Sequence, residues 1–240
     1  MRRLGRVIAA QRTFIADAAH ELLTPLTALK LQTQMLARAE SAQRQREATA
    51  ELQGGVSRTL QLARQLLTLA RHGLEAETRP EGSIDLAGLL RIVLAIHAPL
   101  AASKSIALEL LAPADTVALR GQEEALQTLV SNLIENAIKY TSPSGRVRIR
   151  WQHAPGATTL EIEDSGPGIP PEERERVFDR FYRRPGELAA GNGLGLAIAR
   201  EIAEHHGATI SLEVSDELGG LAARVRFTRL DRPAARRRAA

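Results

Sequence analysis

The spacing of apolar residues changes near residue 73, and that change constrains the fold of this 240-residue chain more than any other feature. Before it, apolar residues recur at intervals of three and four. Phe14 or Ile15, Ala18, Leu22, Leu26 and Leu29 form one stripe, and Leu52, Val56, Leu60, Ala63, Leu67 and Ala70 form a second. Such spacing predicts two amphipathic helices. Pro25 falls inside the first and is expected to kink it rather than end it, because the stripe continues to Leu36. A polar stretch at 39–46 joins the two. The hairpin alone has too little core, so two copies are expected to pair as a four-helix bundle that buries both stripes.

After a linker at 76–82, containing Thr78, Pro80 and Gly82, helical and alternating patterns interleave. Helices are expected at Leu86–Ala102, Glu123–Tyr140 and Leu194–His206. Strands are expected at Ile106–Leu110, Val117–Leu119, Val147–Gln152, Thr158–Glu163, Ile210–Val214 and Ala223–Thr228. The third and fourth strands form a hairpin across Pro155-Gly156, and a Gly- and Pro-rich stretch runs from Asp164 to about Asn192. The pattern predicts an α/β sandwich with helices on one face of a mixed sheet. The expected division is a helical domain over 1–75, a linker over 76–82, a sandwich domain over 83–230 and a basic tail over 231–240.

Composition narrows the chemistry. The chain has no Cys, which excludes disulfides and thiolate metal sites. Aromatic residues are 3% of the total, so the core rests on Leu, Ile, Val and Ala. The net charge of +4 gathers at Arg2, Arg3 and Arg6 and at Arg232 and Arg236 to Arg238. No aromatic residues interleave with these charges as single-strand stacking needs, so no nucleic-acid partner is expected. No apolar run approaches the roughly 20 residues of a membrane span, and no signal-peptide pattern opens the chain. The sequence reads as a soluble, cytoplasmic piece, with any membrane segment lying ahead of Met1.

Four segments carry chemistry. His20 lies off the apolar stripe, with Glu21 beside it and Thr24 one turn later. A zinc reading of His-Glu-x-x-His fails because the fifth position is Thr24. What remains is an imidazole nucleophile with a carboxylate able to orient it and accept its proton. Next, Asn132, Asn136 and Lys139 share one helical face, ahead of Tyr140; amide oxygens suit Mg²⁺ and an ammonium suits phosphate. Third, Asp164-Ser165-Gly166-Pro167-Gly168-Ile169 follows a strand, where a carboxylate can accept from an exocyclic amine such as adenine's and glycines let backbone approach a ligand. Fourth, Gly191 to Leu196, including Gly193, Leu194 and Gly195, opens a helix whose free N–H groups favour phosphate. Neither a Walker pattern nor G-x-G-x-x-G is present. Taken singly, each segment also reads as an ordinary surface helix or turn; their order behind His20 sets them apart.

Together these residues resemble the sensor histidine kinases of two-component systems, over nearly the whole chain. His20 to Leu26 is similar to the family's H box, Asn132 to Tyr140 to its N box, Asp164 to Gly168 to its G1 box, Val177 to Tyr182 to its F box and Gly191 to Leu196 to its G2 box. Phe14 to Leu29 resembles the class that pairs with OmpR-type response regulators, many of them inner-membrane receptors. The resemblance implies a homodimeric helical hairpin followed by an ATP-binding domain of the gyrase and Hsp90 fold. It implies ATP-dependent autophosphorylation and transfer to an aspartate of a response regulator. His20 would be the phosphoacceptor, Glu21 its acid–base partner, and Thr24 would position water for dephosphorylating the regulator. Asn136 would hold Mg²⁺ with Asn132 nearby, Lys139 would reach phosphate, Tyr140 would pack on the nucleotide and Asp164 would read adenine. Phe178 and Phe181 would anchor the ATP lid, and Arg180 or Arg183 would meet the γ-phosphate. Leu23 stands where the family usually has Arg, and Ser165 replaces a common Asn. Two other readings stay open at this point: a dimerisation module that binds ATP without turnover, and a gyrase- or Hsp90-like ATPase.

Overall fold

The computed structural model describes residues 2–72, 82–111, 118–184 and 192–228. The chain separates into two compact units, Met1–Arg71 and His72–Ala240.

The first unit is a helical hairpin of α1 (Arg2–Ala37) and α2 (Ala42–His72). α1 runs on through Pro25, as the continuing stripe predicts. The connection is shorter than the polar stretch at 39–46 suggested. Ser41 starts α2 early, because its Oγ accepts from Arg44 N at 3.3 Å and its carbonyl accepts from Gln45 N at 3.0 Å. The two helices approach closely at Gly55, where a Cβ would stand 2.6 Å from Gln32 Oε1 and 2.8 Å from a Leu29 methyl. Glycine inside a helix costs about 1 kcal/mol against alanine; here it is what lets α1 and α2 meet. Leu62, Leu66 and Leu69 are buried, while Leu26, Leu31, Val56, Leu60 and Leu67 remain exposed.

The second unit is a two-layer sandwich. Its main sheet has the order β2-β4-β5-β7-β6, built from β2 (Ala107–Leu111), β4 (Arg146–Ala154), β5 (Ala157–Asp164), β6 (Ala208–Val214) and β7 (Leu221–Thr228). β2 pairs parallel with β4, and every other pairing in that sheet is antiparallel. The β4–β5 hairpin turns at Pro155-Gly156, with Gly156 at φ +84°. A small ribbon, β1 (Gly82–Asp85) against β3 (Ala118–Gly121), was not foreseen for β1, whose four residues are too few to show a period. Val117, expected in β3, lies outside the described residues.

Helices α3 (Leu86–Ser103), α4 (Glu123–Tyr140) and α5 (Gly195–His205) cover one face of the sheet. Leu90, Val93, Leu129, Ile134, Ile138 and Ile198 interleave with Val147, Ile149, Leu160, Ile162 and Val225 beneath them. α3 is long and apolar enough to cross a membrane by composition, with a mean hydropathy of 1.7 over 18 residues. Arg91 and His97 fall within it, so the sequence shows a helix here without an uninterrupted apolar run. In the fold Leu86, Leu89, Leu90 and Val93 are buried in the helical layer, while Ile92, Ile96 and Leu100 of the same helix are exposed.

Among the described residues, the other face of the sheet carries alternating charge and no second helical layer. Arg150 Nε donates to Glu161 at 2.9 Å, Arg224 Nε to the same carboxylate at 2.9 Å, and Arg148 Nε to Glu109 at 3.0 Å. Glu213 and Glu217 extend the ladder through Arg224, Arg148 and Arg150. These pairs hold the guanidinium groups of all three arginines above their usual range, chiefly through hydrogen bonds that Arg148 and Arg150 donate to the carboxylates, and against desolvation in Arg224.

Candidate functional site

Asp164 ends β5 and begins the glycine-rich turn. It is 5% exposed, and burial pushes its carboxyl above the usual carboxylate range against two backbone hydrogen bonds. Those bonds come from Gly166 N at 2.8 Å and Leu221 N at 3.2 Å, both to Oδ1. Among the described residues Oδ2 takes no hydrogen bond, so one carboxylate oxygen is fixed by the fold and the other is left for an incoming donor. Gly220 makes this possible. A Cβ there would fall 2.5 Å from Asp164 Oδ1 and 2.6 Å from Gly166 N. Sequence reasoning missed Gly220, because only its proximity across 56 positions of chain reveals the role.

The turn after Asp164 is tied down on both sides. Ser165 Oγ accepts from Arg146 N at 2.9 Å, and Ser165 N donates to the Arg146 carbonyl at 3.0 Å. The hydroxyl therefore gives the turn a backbone tether to β4, which explains why Ser suits a position where Asn is common. Gly166 lies against the end of α4: a Cβ there would be 2.8 Å from the Tyr140 carbonyl. Gly168 has φ +67°, a conformation that favours glycine. Its carbonyl accepts from Arg184, and the Ile169 carbonyl from Arg174 at 3.0 Å.

α4 presents its amide face to the start of α5. Asn132 Nδ2 donates to the Thr128 carbonyl at 2.9 Å, which directs the acceptor oxygen outward. That Oδ1 lies 3.1 Å from where a Gly195 Cβ would stand, and Asn136 Nδ2 lies 3.6 Å from the same point. Two side-chain amides and a helix N-terminus thus converge where glycine leaves room. α5 has no side-chain cap and no acidic residue in its first turn, so its leading N–H groups and positive end of the helix dipole stay available. One turn along α4, Lys139 Nζ donates to the Tyr140 hydroxyl at 2.8 Å and lies 4.5 Å from that ring's centre.

Gly193 turns the chain into α5 with φ +69°, and its carbonyl accepts from Phe181 N at 3.0 Å. A Cβ on Gly193 would fall 2.6 Å from the Tyr182 carbonyl. Leu194 is fully buried and anchors this turn, while its N–H donates to Asn192 Oδ1 at 3.2 Å; Leu196 is half-buried in the first turn of α5. Gly191 lies outside the described residues. Phe178 is buried beneath the Arg200 guanidinium, and Phe181 is half-buried at φ +64°. Arg180 pairs with Glu201 of α5 at 3.1 Å, and Arg183 is exposed.

His20 is on α1 of the other unit. It is exposed, with Glu21 half-buried beside it and Leu23 64% exposed. Thr24 is exposed too, and its Oγ1 donates to the His20 carbonyl at 3.3 Å. The fold therefore assembles the Asn, Asp and Gly segments into one site and carries the His segment on a separate unit.

Comparison with known proteins matches this division. Residues 10–75 match the His Kinase A (phospho-acceptor) domain, and residues 121–233 match the histidine kinase-, DNA gyrase B- and HSP90-like ATPase family. The chain is 38% identical over 213 residues to the swarming motility regulation sensor protein RssA of Serratia marcescens, covering 88% of this chain and 45% of RssA. The chain spans about half the length of such curated relatives. Among solved structures, the mycobacterial sensor histidine kinase MprB is 30% identical with a TM-score of 0.54, over 62% of this chain and 97% of that one. ThkA, solved in complex with the response regulator protein TrrA, shares the fold at 20% identity and a TM-score of 0.73, over 95% of this chain and 64% of that one. With both domains matched in order and the site residues set on the elements just described, this chain belongs to the bacterial sensor histidine kinases.

Proposed function

We propose that this chain is the catalytic core of a protein-histidine kinase that phosphorylates His20 from ATP and passes the group to an aspartate of a response regulator. The observation that carries the reading is the convergence of Asn132 and Asn136 on the uncapped start of α5, with a half-free Asp164 in the turn that abuts the end of α4. Asp164 Oδ2 accepts from the adenine amine. The N–H groups that open α5, from Gly195 onward, and the Lys139 ammonium meet the phosphates, and Tyr140 flanks the nucleotide. The oxygen chemistry of the two amides fits a hard cation, so Asn136 would hold Mg²⁺, which screens phosphate charge, with Asn132 behind it. Gly166, Gly168 and Ile169 form the wall of the pocket, and Arg180 or Arg183 approaches the γ-phosphate once the site is filled.

At His20 a neutral ring nitrogen attacks the γ-phosphorus. The bond from that phosphorus to the bridging oxygen breaks, ADP leaves, and Glu21 takes the proton released from the ring. An aspartate of the regulator then attacks the same phosphorus and frees His20. Thr24, exposed one turn from His20, orients water for dephosphorylating the regulator. The same reading assigns dimerisation and phosphotransfer to 1–75, a linker to 76–82, nucleotide binding to 83–230 and a basic tail to 231–240. The partner is an OmpR-type regulator, and the chain acts as the cytoplasmic part of an inner-membrane receptor.

Incubation with γ-labelled ATP tests this. The label is expected to be acid-labile and base-stable, and absent from His20→Gln while that variant still binds nucleotide. Label on His20→Gln equal to wild type, or an acid-stable label, overturns the assignment.

A further inference from the structure

Lys104 follows α3 and belongs to none of the segments that the sequence singles out. Its ammonium nevertheless donates to three backbone carbonyls at the end of α4: Ile138 at 2.8 Å, Lys139 at 2.9 Å and Thr141 at 2.7 Å. Three donors on one tetrahedral nitrogen meet three acceptors, which is the full donor capacity of an ammonium. These carbonyls belong to the last turn of α4 and the residue that caps it, where a helix has unpaired acceptors and the negative end of its dipole. A cation at that position is favourable for both reasons, and its hydrogen bonds are charge-assisted. The backbone of Lys104 closes the same contact from the other side, since its carbonyl accepts from Ser144 N at 3.0 Å.

What lies beyond this clamp gives it a function. The clamped turn carries Lys139 and Tyr140. The Tyr140 carbonyl abuts Gly166, 2.8 Å from where a Cβ would stand, and Gly166 N is one of the two donors that hold Asp164. On the far side of the same loop, the β4 residue Arg146 is tied to Ser165. A single side chain thus fixes the end of α4 against which the Asp164 turn rests. We infer that Lys104 is a positioning residue of the nucleotide site, setting nucleotide affinity through the last turn of α4 without touching the ligand. This rests on the reading of Asn136, Lys139 and Asp164 as the ATP site.

The test uses the full chain and measures the Kd for Mg·ATP and for ADP by calorimetry, well below the melting temperature. Lys104→Met keeps the stem and removes charge and donors; its Kd should rise about tenfold for both nucleotides. Lys104→Gln restores a donor without the charge and should give a smaller rise of about threefold. The rate of His20 labelling at saturating Mg·ATP should stay within about twofold of wild type, because the chemistry lies on the other unit. Val225→Ala, in the core of β7 and away from the site, serves as the control for lost stability and should leave Kd unchanged. A wild-type Kd in both Lys104 variants overturns the inference. So does an equal rise in Val225→Ala, which would reduce Lys104 to a stability role. If Lys104→Met does not fold, Lys104→Gln against Val225→Ala decides on the same terms. A wild-type chain that binds no nucleotide instead overturns the ATP-site reading itself, so the two failures are told apart.

Discussion

In the sandwich unit Leu90, Val93, Leu129, Ile134, Ile138, Ile149 and Val225 are fully enclosed by their own chain, whereas in the hairpin Leu60, Leu67 and Met35 stay 52%, 59% and 60% exposed. Both units have regular apolar patterns of similar strength. The difference is geometric. A sheet with three helices laid on it closes a core from one chain, and two helices side by side can shield only the seam between them. The hairpin's remaining stripe is exposed, on the proposed reading the surface for a second copy, and the exposed His20 rides on that same unit. On the proposed reading one region holds a ligand and the other is completed by partners.

The comparison breaks first at the cores. Leu129→Ala should cost about 3 to 4 kcal/mol, because it leaves a cavity in a fully packed layer. Its unfolding midpoint should not depend on protein concentration. Leu60→Glu should do the reverse: nucleotide affinity and the unfolding of the sandwich stay as they are, and dimer dissociation rises at least roughly thirtyfold, since about 2 kcal/mol is lost when a charge enters the seam. Light scattering over a dilution series and urea unfolding read the two together. A wild-type monomer at micromolar concentration would remove the contrast altogether.

How much of this was visible in the sequence follows the same line. Period-3.6 and period-2 patterns placed α3, α4, α5 and the five long strands, because each buries a continuous stripe that the residues themselves announce. The His20, Asn132 and Asp164 segments were legible because their chemistry sits in short contiguous runs. β1 was not, since four residues show no period. Gly55, Gly220 and Lys104 were not legible either. Their roles come from what stands opposite them: Gln32 and Leu29 across the hairpin, Asp164 across the sheet, and the end of α4 across the helical layer. Ser41 could have been found, as a serine just ahead of a helical stretch is a known start signal. The polarity of 39–46 masked it, because a solvated helix face and a loop have the same composition.

A smaller effect distinguishes the units by pH. His97 of α3 is buried, and its Nε2 is 2.7 Å from Ser131 Oγ on α4. Desolvation lowers its pKa below 6.5, only partly opposed by the negative charge of Glu135 on α4. The folded state therefore prefers the neutral ring, and the unfolded chain takes up the proton first as pH falls. Stability from this group is complete above about pH 6.5 and declines as pH drops through 6.5 toward the lower folded value. His97→Gln should flatten that decline in urea midpoints taken between about pH 5 and 7.5. An unchanged slope would mean the ring titrates alike in both states.

The smallest expected effect lies at Leu23, which follows His20 by three positions and is 64% exposed. Its carbonyl accepts from Thr27 Oγ1 at 2.8 Å, so the backbone here is helical regardless of the side chain. Leu23→Arg should then leave the melting temperature almost unmoved, because no packed surface is lost and an exposed change is worth about 0.5 kcal/mol or less. What changes is the field around His20. A guanidinium on that face can meet the phosphates of ATP or the acidic site of a docked regulator through charge-assisted hydrogen bonds, which leucine cannot do. The rate of autophosphorylation or phosphotransfer should rise a few-fold, and the gain should shrink as salt screens it over about 10 Å at 0.1 M. Rates measured from low to high ionic strength separate this from packing. A gain that ignores salt would point to altered helix contacts, and no gain at any ionic strength would show that Leu23 is simply an accommodated surface residue. The sandwich unit offers the control: Leu111→Arg, at an exposed end of β2 away from the nucleotide residues, adds the same charge and should change neither rate.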